Sequence, residues 1–188
     1  QIQEQLIINS CSSNGLPFVS LRFQNVYGPG QSLKNPYTGI LSIFSTLILN
    51  NQNINIFEDG KESRDFIFIE DVVSSIKLSL TNEKANYNIF NVGFGENIEV
   101  EIVAKSLIKL FKTDTKINIS GDYRQGDIRH NYADLLKIKT NLKYLPKISF
   151  KQGLRRFVEW VKSQEIQINK FEEAIDEMHQ RGLYKRNE

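Results

Sequence analysis

Cysteine is nearly absent from this 188-residue sequence. Cys11 stands alone, which excludes an internal disulfide and a secreted, cross-linked framework. His130 and His179 are the only histidines, and with a single thiol they fall short of a His/Cys zinc site. No run approaches the ~18 apolar residues of a membrane span, and no charged-then-apolar leader opens the chain. Charge of one sign is scarce as well: 24 basic against 22 acidic residues leave +2, without the basic stripe of a nucleic-acid surface. Zinc modules, membrane spans and nucleic-acid binders are set aside, and cytoplasm is the default location. Methionine occurs once, as Met178. The first eleven residues read as mid-helix with no capping residue before them, so the chain reads as the carboxyl-terminal part of something longer.

What is present is an ordinary globular composition, 40% hydrophobic and 24% charged. Periodicity predicts helices over 1–11, 38–49, 70–80, 100–111, 135–141 and 150–163, and strands over 18–23, 54–57, 64–69, 87–92 and 116–119. Residues 25–37 and 121–131 read as polar loops. The strands at 54–57 and 64–69 read as a hairpin-like pair. Residues 164–188 are expected to form a helical tail, solvated and fraying, beside one unit over 1–163. Strands alternate with helices, but two short strands arrive with little helix between them, which points to a mixed α/β arrangement.

Three segments carry chemistry. Leu21 to Gly30 runs a strand into a Gly28-Pro29-Gly30 turn with Asn25 where the strand stops, the setting in which open α/β sheets place ligands. Arg64 follows the Asp59-Gly60-Lys61 turn, and Arg124 precedes Gly126-Asp127. Arginine beside a glycine turn suits phosphate, which accepts a guanidinium fork. Plainer readings exist for each. Gly28-Pro29-Gly30 is also a common turn, Arg64 could pair with Asp65 at the surface, and Arg124 could pair with Asp127. His130 is expected in a solvent-facing loop without a partner, and Cys11 as a small core filler. Gly93-Phe94-Gly95 follows a strand, but Ile98 stands where a third glycine would complete a dinucleotide loop, so that reading is rejected.

The ordered set L-R-F-x-N-V-Y-G-P-G (21–30), I-F-x-D-G-x-x-x-R-D-F-I-F-I (56–69), Y-N-I-F-N-V-G (87–93), R-Q-G-D (124–127) and G-L-R-R-F-V-E-W (153–160) resembles the extended short-chain dehydrogenase/reductase family. Its members include the NAD-dependent nucleotide-sugar epimerases and dehydratases. N-P-Y-T-G-I at 35–40, with Glu62-Ser63 ahead of Arg64, is most similar to 4-epimerases of deoxysugar nucleotides. UDP-glucose 4-epimerases and sugar 4,6-dehydratases share the scaffold. The resemblance implies an α/β fold: the last strands and helices of a Rossmann-like sheet plus a small mixed α/β substrate-binding lobe. It implies NAD as cofactor, a dTDP- or UDP-sugar as substrate, and a homodimer in the full-length enzyme. In such enzymes a Tyr-x-x-x-Lys base removes a sugar proton while hydride leaves C4 for the nicotinamide. None of the seven tyrosines here has a lysine four residues on, so no catalytic residue is assigned. The substrate side is implied residue by residue. Asn25 would face the sugar and diphosphate, Arg64 and Arg124 would clamp the diphosphate, Asp127 would lie near the ribose and Phe57 near the base. Phe23 falls where relatives touch the nicotinamide. The asparagine that some relatives carry near Thr38 and Gly39 is absent.

Overall fold

The computed structural model of the chain describes residues 2–35, 39–166 and 171–186. In order, helix α1 (Ile2–Ser13) leads to strands β1 (Val19–Phe23) and β2 (Asn25–Tyr27), then helix α2 (Ile40–Leu49). Strands β3 (Ile54–Ile56), β4 (Ser63–Arg64) and β5 (Phe66–Phe68) precede helix α3 (Ile69–Thr81). After β6 (Asn88–Val92) and β7 (Ile98–Glu99) come helix α4 (Val100–Phe111) and β8 (Ile117–Ile119). The chain continues through β9 (Tyr123–Arg124), β10 (His130–Asn131), α5 (Leu136–Leu142), α6 (Phe150–Lys162), α7 (Phe171–Gln180) and β11 (Tyr184–Lys185). The expected helix start at Thr38, the Pro36-Tyr37-Thr38 part of the motif, Gln1 and residues 168–170 lie outside the described residues.

The arrangement is the mixed α/β one expected. β1 and β6 run parallel, with Val19 opposite Asn88 and Phe23 opposite Val92. β2 continues from β1 and pairs in parallel with β5, Asn25 opposite Phe66. Strand alternation then divides the interior. On β5, Phe66 and Phe68 face a core built with Leu41, Leu47, Val103, Leu107 and Phe157. Ile67 between them faces a second core with Val72, Phe90, Val92 and Tyr144. Three consecutive residues of one strand therefore join both cores. Helix α2 is buried from Leu41 to Ile48, as a helix apolar on all sides must be. α4 buries Val103, Ala104, Leu107 and Phe111 at helical spacing. α6 opens on a capping box in which Ser149 and Gln152 satisfy each other's backbone groups.

Several expectations are corrected. The strands near 54 and 64 do not form a hairpin: β3 pairs in parallel with β8, and β4 lies between β10 and β7. Each strand has a partner far along the chain instead of its neighbour, Ile54 lying opposite Ile117 and Ser63 opposite both His130 and Glu99. The presumed loop at 25–37 begins with β2, and the one at 121–131 holds β9 and β10. The tail is helical over α7, as expected, but not simply solvated, because Phe171, Ala174 and Tyr184 are buried and β11 pairs antiparallel with β9. Cys11 is only half-buried, on a helix that buries none of its described residues. His130 is exposed, yet its Nδ1 lies 2.8 Å from the Ser63 hydroxyl.

Candidate functional site

The site forms where the short strands end. β4 lifts Arg64 to the surface and turns Asp65 inward, since successive side chains of an extended segment point to opposite faces. Asp65 is 0% exposed. Its carboxylate accepts from the backbone N–H groups of Phe94 (2.8 Å), Gly95 (2.9 Å) and Ala133 (3.2 Å). The glycine turn at 93–95 thus holds the protein's own carboxylate. A Cβ at Gly93 would lie 2.2 Å from Asp65 Oδ2, so only glycine fits. The surface pair between Arg64 and Asp65 is ruled out. Asp65 also fixes the entry to β2, because its carbonyl accepts from Asn25 N (3.0 Å) and Asn25 Nδ2 (3.3 Å).

Arg64 is held in a defined pose. Nη1 donates to the carbonyls of Ser63 (2.9 Å) and Arg129 (3.0 Å), and Nη2 donates to Asp127 Oδ1 at 2.9 Å. Asp127 therefore pairs with Arg64. Arg124 sits opposite Tyr184 in the β9–β11 ladder, with its guanidinium 5.3 Å from the centre of the Phe57 ring. Its buried Nε has no hydrogen-bond partner among the described residues. Burial lowers the Arg124 pKa, with the Arg64 charge adding to the effect against the pull of Asp127 and Tyr184. Two cations that disfavour each other, one with an unused donor, make a setting that an anion would relieve. Phe57 is packed by Phe171 at 6.3 Å and Tyr184 at 5.3 Å between ring centres, and the Tyr184 hydroxyl donates to Asp122.

These side chains share one cleft of about 330 Å³. Asn25, Phe57, Arg64, Arg124 and Asp127 all line it, with Gly39, Ile43 and Phe44 from the start of α2. Phe23 is apart from that lining, at the carboxyl end of β1 and 44% exposed. Among the lining residues that sequence reasoning missed, two stand out. Phe171 comes from the tail. Glu62 is buried, and neither carboxylate oxygen has a partner among the described residues. Its only sequence signal was its position two residues before Arg64. Glu58, Asp59 and Glu62 each bring one carboxylate oxygen within 4.8 Å of the others. Arg129 already bonds Glu58 and Asp59 at 2.6 Å each, so a cation would have to displace it.

For a dinucleotide, the described residues offer one fitting element. The half-exposed Phe23 ring stands at the carboxyl end of a parallel strand, the usual ligand position of such sheets. Beside it, Gln24 has a buried Oε1 without a partner among the described residues. The sequence contains no Gly-x-Gly-x-x-Gly loop to hold a dinucleotide's phosphates.

The model of the NAD dependent epimerase/dehydratase family matches residues 1–93. Over 145 residues the chain is 37% identical to dTDP-L-rhamnose 4-epimerase of Burkholderia thailandensis, covering 77% of this chain and 40% of that protein. The structure of UDP-glucose 4-epimerase with UDP-glucose from Thermotoga maritima superposes with a TM-score of 0.77 at 31% identity, over 85% of this chain and 50% of that one. UDP-glucuronic acid 4-epimerase of Bacillus cereus, in complex with UDP-glucuronic acid and NAD, gives 0.75 at 26% identity, over 85% and 49%. The chain belongs to the NAD-dependent epimerase/dehydratase family of extended short-chain dehydrogenases/reductases. It spans about half the length, or somewhat less, of the relatives it matches. Among the described residues no helix is long and apolar enough to cross a membrane.

Proposed function

We propose that this chain supplies the nucleotide-sugar-binding side of an NAD-dependent sugar-nucleotide epimerase. The observation that carries the reading is the convergence of Arg64 and Arg124 on one cleft with Asn25 and Phe57. Arg64 presents an oriented guanidinium and Arg124 an unspent Nε donor, which together match the two phosphates of a diphosphate. Asn25, fixed by the Asp65 carbonyl, stands at the sugar end. The aromatic cluster of Phe57, Phe171 and Tyr184 forms the wall against the base. Asp127 orients Arg64 and lies beside the nucleoside ribose. Phe23 is the flank nearest the nicotinamide, which in such a reaction takes hydride from the sugar and returns it. The matching relatives act on dTDP- and UDP-sugars by name, which supports a pyrimidine nucleotide. Residues 1–163 act as one binding unit, and Phe171 and Tyr184 from the tail close its base-side wall.

Titration calorimetry with UDP-glucose tests this reading. Charge-assisted hydrogen bonds contribute about 1.5–3 kcal/mol each, so Arg64→Ala is expected to weaken binding roughly 10- to 100-fold. Unchanged affinity would refute the clamp. A related enzyme class, the sugar-nucleotide dehydratases, would use the same pocket.

A further inference from the structure

The wall of the cleft around Phe57 is completed by the last elements of the chain. Helix α7 and strand β11 form a local unit there. Leu183 N donates to Met178 O at 2.9 Å, Gly182 N donates to His179 O at 3.0 Å, and Arg186 pairs with Asp176 at 3.5 Å. The unit meets the rest of the chain through a two-residue ladder, with Tyr184 opposite Arg124 and Lys185 opposite Tyr123. Gln125 N donates to Leu183 O at 3.0 Å, and the Tyr184 hydroxyl donates to Asp122. Phe171 and Tyr184 add their rings against Phe57. A unit docked by so short a ladder belongs to the part of a protein that opens well before the whole unfolds.

Docking of that unit has an electrostatic consequence. Directly opposed residues of an antiparallel pair put their side chains on the same face, so closing β11 lays the Tyr184 ring beside the Arg124 side chain. Both meet Phe57, each at 5.3 Å from its ring centre. Tyr184 is buried, and Arg124 Nε is buried without a partner among the described residues. The acids nearby are engaged elsewhere, Asp127 with Arg64 at 2.9 Å and Asp122 with Tyr184. Burial accordingly lowers the Arg124 pKa, and the Arg64 charge acts in the same direction. The docked unit thus withdraws a cation from water without bonding it to an anion. The Phe57 face offsets only part of that cost. An anion in the cleft, which Arg64 and Arg124 both line, attracts a desolvated cation more strongly than a hydrated one.

We infer that residues 171–186 form a strap whose docking is coupled to the anion in the cleft, so that a bound diphosphate holds it shut. This rests on the diphosphate-binding reading above. The coupling is reciprocal: a ligand that prefers the docked strap makes its opening rarer, and the docked strap tightens the ligand by the same factor.

Amide hydrogen exchange of the 188-residue chain, followed by NMR, reads the opening of the strap. Saturating inorganic pyrophosphate is expected to slow exchange over 181–186 and at Gln125 roughly 5-fold or more, compared with sodium chloride at matched ionic strength. UDP is expected to do the same. The β1–β6 ladder, which lies away from the strap, is expected to keep its rates. Unchanged exchange while calorimetry shows UDP bound would overturn the strap and leave the diphosphate clamp intact. So would slowing by UDP that pyrophosphate does not reproduce, or equal slowing of the β1–β6 ladder. No binding of either ligand would overturn the clamp and this inference with it. The comparison is made on the wild-type chain, so the folding of a variant does not enter it.

Discussion

The lobe around the cleft and the flank formed by α1 use similar residues to different ends. In the lobe, α2, α4 and α6 enclose Phe66, Phe68, Phe157 and Leu107 in a continuous core. On the flank, α1 carries Ile2, Leu6 and Ile7, all exposed, and buries none of its described residues. Glu4 ties it to β1 through Arg22 at 2.6 Å and through Ser20. Apolar residues stabilise only what they cover. The cleft therefore rests on the part of the molecule best able to hold side chains still, as the proposed binding role requires.

The sharpest way to break this comparison is to truncate one large side chain in each region. Phe157→Ala, at a position 0% exposed, is expected to cost about 3–5 kcal/mol of unfolding free energy. Leu6→Ala, at a position 64% exposed, is expected to change it by less than about 0.5 kcal/mol. Urea denaturation followed by circular dichroism measures both. Similar costs would mean that α1 is packed against something in solution. A smaller effect is expected at Gly153, where a Cβ would meet the Tyr27 hydroxyl at 2.3 Å and Phe68 Cδ2 at 2.7 Å. Gly153→Ala should lose about 1–3 kcal/mol through overpacking, read as a lower denaturation midpoint.

The gentlest perturbation probes the cleft itself through pH. Burial raises the folded-state pKa of Glu62 above its ordinary value. The fold thus favours the neutral acid. That contribution is complete below the ordinary glutamate range, and it fades as pH rises through the raised value. Glu62→Gln, permanently neutral, should be the more stable protein at pH 7, and the difference should vanish toward about pH 4. Thermal melts of both proteins across that range read the gap directly. A gap that widens on acidification would have the wrong sign.

Much of this was legible in the sequence, for physical reasons that vary by element. The i, i+3, i+4 spacing of Val103, Ala104 and Leu107 announces α4, and Leu154, Phe157, Val158 and Val161 announce α6, because each presents one wide apolar stripe. β1 and β6 are long enough to read. β2, β4, β9 and β10 are two or three residues each, and what makes them strands is a partner far along the chain. The hairpin reading failed for the same reason: Ile54 and Ile56 do alternate, but the strand they need is at 117–119. Asn25, Phe57, Arg64, Arg124 and Asp127 were selected by motif, and they line one cleft. Glu62 was not, since a charged residue in a turn reads as solvated until its burial is known. Nor was the aromatic packing of Phe171 and Tyr184 on Phe57, which depends on a tail folding back across the chain.

The most direct test of the central claim asks where a nucleotide lands. In a titration of the isotopically labelled chain with UDP, amide resonance shifts are expected to cluster at residues 25, 57, 62, 64, 124 and 127, and to leave α1 unmoved. Shifts confined to other surfaces, with those six positions silent, would contradict the account.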